Sequence, residues 1–270
     1  MKRYLLHFLV VAGLLSTTTG ALAQRQVRLM SYNVGAFGKE LDDSAPMIAR
    51  MIAELGAETV SLNELDSCNR RHNIDQVQHL AEELNAVEKA GGGKARWQGR
   101  FVRAMGFAGG AYGNGIVTDK RILNQYGIAL PQGKGSEPRV CVVVETRGYV
   151  FASCHLDYLD EAARCEQARV LTEELKRRYG SGRKPVFLAG DFNDVPGSAL
   201  LKQLSRDWTI LSPLDDSYSA LEPHECIDYI FVLHGGRPVT VVDGAVARDF
   251  TSGDVGTASD HLPVWVEVRF

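Results

Sequence analysis

Chemistry in this chain is concentrated in six short segments. Leu188-Ala189-Gly190-Asp191-Phe192-Asn193 is an apolar run stopped by a glycine, a carboxylate and an amide. Ser259-Asp260-His261-Leu262-Pro263-Val264 sets a carboxylate beside an imidazole just before the last apolar stretch, and Ser153-Cys154-His155-Leu156 ends another run in histidine. Ser31-Tyr32-Asn33-Val34, the pair Asn63-Glu64 and Ile227-Asp228-Tyr229-Ile230 complete the set. Taken singly, each has a plain structural explanation: Gly-Asp-x-Asn builds an Asx turn, and a histidine at a strand end is as often structural as working. Taken together they supply oxygens that suit a hard divalent cation, a carboxylate able to activate water, and imidazoles able to carry protons. The spacings G-x-S-x-G, H-E-x-x-H and C-x-x-C are absent, so a serine nucleophile and a dedicated zinc centre find no support.

Hydrophobic periodicity places these groups. Val27 to Asn33 alternates like a strand; Ser44 is expected to cap a helix with Met47, Ile48, Met51, Ile52 and Leu55 on one face and Gly56 as its stop. Thr59 to Leu62 reads as a short strand leading into Asn63-Glu64, and Asn73 to Leu84 as a second amphipathic helix. The glycines 91–93 form a flexible loop, because the phosphate-cradle spacing G-x-x-x-x-G-K-[ST] is missing. Further strands are expected at Gly113–Val117, Arg139–Glu145, Tyr149–Ser153, Pro185–Ala189, Ile227–Val232, Val239–Val246 and Leu262–Val268. Asp160 can cap a long helix to about Arg178, and Ser198–Leu204 reads as a short one. Strand, helix, strand thus delivers Asn33 and Glu64, and a second such unit delivers His155 and Asp191. All four fall at carboxyl ends of strands, the edge where α/β sheets gather working groups.

Composition sets the class. The 270 residues are 45% hydrophobic and 23% charged, with 30 Lys and Arg against 33 Asp and Glu, which excludes disordered, collagen-like and polytopic membrane chains. Lys2 and Arg3 precede an apolar stretch from Leu5 to Leu15 and a small-residue site at Ala21-Leu22-Ala23. That layout predicts a signal peptide at 1–23, an exported (periplasmic or secreted) mature chain, and no transmembrane anchor, since about 20 apolar residues are needed to span a bilayer. Without Lys2 and Arg3, 28 basic residues face 33 acidic ones. No linker or low-complexity tract divides residues 24–270, so one α/β domain is expected. Five cysteines leave at least one unpaired. A hairpin pairing residue 145 with 149 would set Cys141 opposite Ser153, pointing Cys154 to the other face and making that pair a poor disulfide.

In their order, the six segments resemble those of the endonuclease/exonuclease/phosphatase superfamily, over nearly the whole mature chain. Phe107-x-Gly109-Gly110-x-Tyr112-Gly113-Asn114 and Glu137-Pro138-Arg139 are similar to segments of its smaller bacterial hydrolases. The resemblance implies a four-layer sandwich, two packed mixed β-sheets flanked by α-helices, with metal-assisted phosphoester hydrolysis in one rim cleft. It implies that Glu64 binds a divalent ion with help from Asn33 and Asp260, and Mg²⁺ suits such oxygen donors, with Mn²⁺ or Ca²⁺ as alternatives. Asp191 would orient and deprotonate the attacking water, and Asn193 would donate to the phosphate. His261 would contact the phosphoryl oxygens with Asp228 fixing its tautomer, and His155 would give a proton to the leaving group. Asn114 would face the cleft. Arg139 is either a phosphate-binding arginine or a sheet-edge charge, and Arg71 either a substrate contact or a solvated loop charge.

The acidic balance points to a small or lipid-linked phosphate ester, since net negative charge repels polyanions and no dense basic run offsets it. The alternative is a secreted nuclease acting on DNA or RNA, for which Trp97 among Arg96, Arg100 and Arg103 could stack a base. A partly exposed strand edge is the blander explanation of that segment. A third reading, an inactive binding protein on the same fold, is opposed by the intact set of polar residues. Oligomeric state is not encoded in any motif.

Overall fold

Strands that are apolar on both faces need cover on both, and in the computed structural model, which describes residues 25–134 and 137–270, two stacked sheets and their helices provide it. The expected signal peptide lies outside the described residues. In chain order the elements are β1 (Gln26–Asn33), α1 (Ala45–Leu55), β2 (Thr59–Ser67), α2 (Gln76–Ala90), β3 (Gln98–Phe107), β4 (Gly110–Thr118), β5 (Asn124–Ala129), β6 (Val140–Glu145) and β7 (Val150–His155). They continue with α3 (Glu161–Tyr179), β8 (Val186–Asp191), α4 (Ala199–Leu204), β9 (Trp208–Ile210), β10 (Asp228–Leu233), β11 (Thr240–Val246), α5 (Val255–Ala258) and β12 (Val264–Arg269).

One sheet runs β11-β12-β1-β2-β4-β3 and the other β5-β6-β7-β8-β10-β9. Each has a parallel pair at its centre, β1 with β2 and β7 with β8, joined through α1 and α3 respectively, with antiparallel strands outward. Leu29, Ile116, Val142, Phe151, Phe187, Ile230 and Val266 fill the space between the sheets. Ile48, Ile52, Leu80 and Leu84 of α1 and α2 cover the outer face of the first sheet, and Leu171, Leu175, Leu200 and Leu204 of α3 and α4 cover that of the second. The expected four-layer sandwich is what forms.

Polar side chains cross the layer between the sheets at β2 and β7. Thr59 Oγ1 lies 2.6 Å from Tyr149 Oη, and Ser61 Oγ donates to Ser153 Oγ at 2.7 Å. Asn63 Nδ2 donates to the Cys154 carbonyl at 2.9 Å, while its Oδ1 accepts from the Asp191 amide at 3.1 Å.

Several local expectations change. Asp75, Asp160 and Ser198 cap α2, α3 and α4 through their side chains, but Ser44 does not cap α1. Its hydroxyl donates instead to the Ala258 carbonyl, and Asp43 accepts from the Ala45 amide. In the β6–β7 hairpin, Glu145 pairs with Val150, so Cys141 stands directly opposite Cys154; the side chains share a core cluster and both thiols are free. Thr146 explains the shift: its Oγ1 accepts from the amides of Gly148 and Tyr149 and donates to the Tyr149 carbonyl, closing a four-residue loop. Trp97 is 7% exposed and packed in the core beside α2, so it offers no face to a nucleic-acid base.

Candidate active site

Strand register assembles the centre. Parallel pairing of β7 with β8 sets His155 beside Asp191, and antiparallel pairing of β10 with β8 sets Asp228 on the other side of it. Gly190 is required by this packing: its φ is 145° and an added Cβ would fall 1.8 Å from the Cys154 carbonyl oxygen. β1 and β2 bring Asn33 and Asn63 level. Beyond Asn63 the pairing of β2 with β4 slips between Leu62 and Leu65, and this bulge carries Glu64 with φ of 57°. Glu64 is therefore presented from inside a strand that continues to Ser67, where the sequence suggested a strand ending at Leu62. A bulge re-aims a side chain, and left-handed backbone in a residue with a Cβ is held at a cost of about 1 kcal/mol or more. Asn193 has the same left-handed backbone, with φ of 52°.

Asn33 lies beneath the cleft and is fully buried. Its Nδ2 is 3.1 Å from both Glu64 Oε1 and Asp191 Oδ2 and 3.3 Å from His261 Nε2, while Oδ1 accepts from the Gly35 amide. The amide group thus joins the two sheets' carboxylates through its donor end. Asp191 Oδ1 accepts from the Asn193 amide at 2.9 Å, and Asp191 Oδ2 is 3.5 Å from His155 Nε2 and 3.7 Å from His261 Nε2. Burial, reinforced by the nearby Asp228 charge, pushes the Asp191 carboxyl well above the ordinary carboxylate range. Asn193 donates its side-chain amide to the Leu156 carbonyl.

The two histidines are held in opposite states. His261 Nδ1 is 2.9 Å from Asp228 Oδ2, which also accepts from Ser217 Oγ at 2.7 Å. Burial alone would lower the His261 pKa, but Asp228, with Asp191 and Asp260 adding to it, raises it to about 9. His155 Nδ1 instead meets Arg139 Nη1 at 3.3 Å. A guanidinium can only donate, so Nδ1 must accept, and the His155 proton resides on Nε2, facing Asp191. Burial first, then the Arg139 charge, holds the His155 pKa well below its ordinary value, so this ring is neutral. Arg139 itself is 5% exposed and its Nη1 pairs with Glu137 at 3.2 Å.

Glu64 and Asp260 already share a cation. Lys39 Nζ stands 2.8 Å from Asp260 Oδ2 and 3.8 Å from Glu64 Oε2. Its stem lies over Gly35, where a Cβ would come within 2.6 Å of Lys39 Cγ. Two carboxylates that converge on one cation fit a hard divalent ion. Asp191, Asp228 and His261 also converge closely; there Asp228 Oδ2 and His261 Nδ1 are engaged with each other and Asp228 Oδ2 also accepts from Ser217, while Asp228 Oδ1 is buried without a hydrogen-bond partner among the described residues.

These groups border a cleft of about 460 Å³ lined by Glu64, Asp191, Asn193, Asp260, His155 and His261 together with Arg71, Arg139 and a set of aromatic residues. Asn114 departs from expectation. It is buried and donates to the Val140 carbonyl at 2.8 Å, tying β4 to β6 without reaching the cleft surface. Residues that sequence reasoning passed over are Lys39, Ser217 and Tyr218, whose ring centroid lies 4.8 Å from that of His261. None sits in a recognisable motif, and each reaches the site through loop geometry.

A two-sheet sandwich with buried carboxylate–imidazole couples at one rim is the architecture of phosphoester hydrolases of the deoxyribonuclease-like class. The chain belongs to the endonuclease/exonuclease/phosphatase family, whose profile matches residues 30–261. A mannosyl-6-phosphatase from Bacteroides thetaiotaomicron superposes with a TM-score of 0.69 at 20% identity, covering 90% of this chain and 100% of that one. A family member from Leptotrichia buccalis gives 0.72 at 18% identity, with coverage of 90% and 100%. The human nocturnin catalytic domain gives 0.65 at 15% identity, with coverage of 90% and 94%. At these identities the likeness is one of fold. A search of curated proteins returns no match.

Proposed function

We propose that the protein is an exported, divalent-metal-dependent phosphoesterase acting on a small or lipid-linked phosphate ester, with water as nucleophile. The observation that carries this reading is Asp191, a buried carboxylate of raised pKa set between a neutral and a charged imidazole. A carboxyl of raised pKa is a better base for water than an ordinary one. Glu64 and Asp260 would hold the ion, Mg²⁺ being the favoured one, and bound there it supplies Lewis-acid stabilisation of the phosphoryl oxygens. Asn33 fixes Glu64 and Asp191 relative to each other. Asp191 takes the proton from water, and His261, kept charged by Asp228, stabilises charge on the phosphoryl group. His155 in its neutral state offers the Nε2 hydrogen as a hydrogen-bond donor, a different role from the proton delivery expected from sequence. Asn193 borders the cleft where phosphate oxygens would pass, and Arg139 holds His155 in its neutral tautomer.

Export rests on the layout of residues 2–23. A nuclease reading is disfavoured by the cleft, in which Arg71 pairs with Asp66 and Arg139 with Glu137, while Glu225 adds acidity. The test is hydrolysis of p-nitrophenyl esters and a panel of sugar, lipid and nucleic-acid phosphates with added Mg²⁺. Asp191→Asn and a chelator are each expected to lower the rate by about 10³-fold or more with the fold retained. Near-wild-type hydrolysis by Asp191→Asn refutes the assignment.

A further inference from the structure

Two guanidinium groups in the cleft are built into the same kind of assembly, a carboxylate on one flank and an aromatic ring on the other. Arg71 donates from Nε and Nη2 to the fully buried Asp66 at 2.7 and 2.9 Å, and its Cζ lies 4.9 Å from the Phe107 ring centroid. Arg139 pairs with Glu137, and its Cζ lies 5.8 Å from the Tyr158 ring centroid. Tyr112 packs on Phe107 with centroids 6.2 Å apart, within electrostatic range of both arginines and of Glu64 and Glu137.

This lining is polar and charge-compensated. Each arginine already has its carboxylate, so no free cation remains among the described cleft residues to neutralise a second phosphate or a polyanionic chain. Hydrogen-bonding capacity nevertheless remains. Arg71 Nη1 lies outside its ion pair, Glu137 and Glu225 accept, and the Tyr112 hydroxyl does both. Phe107 and Tyr158 are 36% and 49% exposed, leaving apolar ring surface open at the cleft. A ligand that gives and takes hydrogen bonds around its edge and carries C–H groups on its faces matches all three properties.

We propose that this wall is a leaving-group subsite for an uncharged polyhydroxylated ring, a sugar or cyclitol, whose phosphate ester is presented to Asp191. The proposal rests on the phosphoesterase reading above and narrows its substrate class. Arg71 is the residue that sets specificity, held in one orientation by Asp66 and Phe107.

The test compares kcat/KM with Mg²⁺ for glucose 6-phosphate and myo-inositol 1-phosphate against glycerol 3-phosphate, fructose 1,6-bisphosphate and an oligodeoxynucleotide. The wild type is expected to favour the ring monophosphates by about tenfold or more. Arg71→Ala and Tyr158→Ala are each expected to raise KM and to lose about five times more on ring substrates than on glycerol 3-phosphate. Tyr158, half exposed, guards against a folding defect from uncovering Asp66. Equal rates on all monophosphates, preference for the bisphosphate or oligonucleotide, or ring selectivity surviving both substitutions overturns the proposal while leaving a working phosphoesterase. Absence of hydrolysis for every ester instead overturns the phosphoesterase reading, and this proposal with it.

Discussion

Replacing Arg139 with methionine tests the argument about the two imidazoles. The substitution keeps the apolar stem in its buried position, and Glu137, about one-third exposed, can hydrate once its partner is gone. What is lost is the donor at 3.3 Å that fixes His155 Nδ1 as an acceptor. A hydrogen bond involving a charged group contributes about 1.5–3 kcal/mol, which corresponds to a fall in kcat of about 10- to 150-fold if all of it acts in the transition state. The pH dependence follows with a definite sign. In the wild type, burial and then Arg139 hold the His155 pKa well below 6.5, so the ring stays neutral across the neutral range. Without the guanidinium its pKa rises back toward that value, Nδ1 is free to take a proton, and activity falls as pH drops through it. The assay is kcat and KM for a p-nitrophenyl ester over roughly pH 5 to 9, where an imidazole of ordinary pKa titrates. A variant with raised KM but unchanged kcat and an unchanged acid limb would refute the reasoning and make Arg139 a phosphate contact instead.

Lys39→Ala should free Glu64 and Asp260 from their internal cation, so Mn²⁺ should raise the Tm at lower concentration than in the wild type; an unchanged midpoint counts against a shared position. Trp97→Ala should lower unfolding free energy by about 3–5 kcal/mol in denaturant titration, as expected of a core ring. Gly190→Ala should cost more than about 2 kcal/mol, because both the φ of 145° and the contact with Cys154 oppose a Cβ; a Tm within a degree or two of wild type would contradict the packing described.

The centre was legible because its residues terminate strongly apolar strands. Asp191 follows Val186–Gly190 and His155 follows Val150–Cys154, so the strand pattern located both at one rim, whereas Asp228, which opens β10, was reached only through the resemblance. Glu64 was found as a residue but misplaced in its element, since a bulge leaves no trace in the alternation of side chains. β5 was missed and β3 was read only as an alternative, a partly exposed strand edge around Arg96 to Arg103, because neither alternates: β3 is half-buried along most of its length, and β5 mixes polar residues with Gly127 at a sheet edge. The hairpin register depended on one hydroxyl, that of Thr146, and a slip of one residue moves every side chain to the other face. Arg139 presented two explanations in sequence, and its burial against His155 matched neither in full. Asn114 carried a motif resemblance that its hydrogen bond to Val140 overrides. Lys39 reaches the carboxylates from a loop whose path no local preference specifies.

The polar contacts from β2 to β7 bear on how this molecule can drift. Apolar layers resist separation more than sliding, because a shifted interface can still exclude water. Thr59 with Tyr149, Ser61 with Ser153, and Asn63 with Cys154 and Asp191 act as pins at successive depths, fixing one half of the sandwich against the other. Asn33, Glu64 and His261 arrive on one half, and His155, Asp191 and Asp228 on the other, so alignment of the halves is also alignment of the reactive groups. Apolar replacements along these pins can therefore keep the fold while misplacing the chemistry, and tolerance of the fold to substitution is a poor guide to tolerance of the activity.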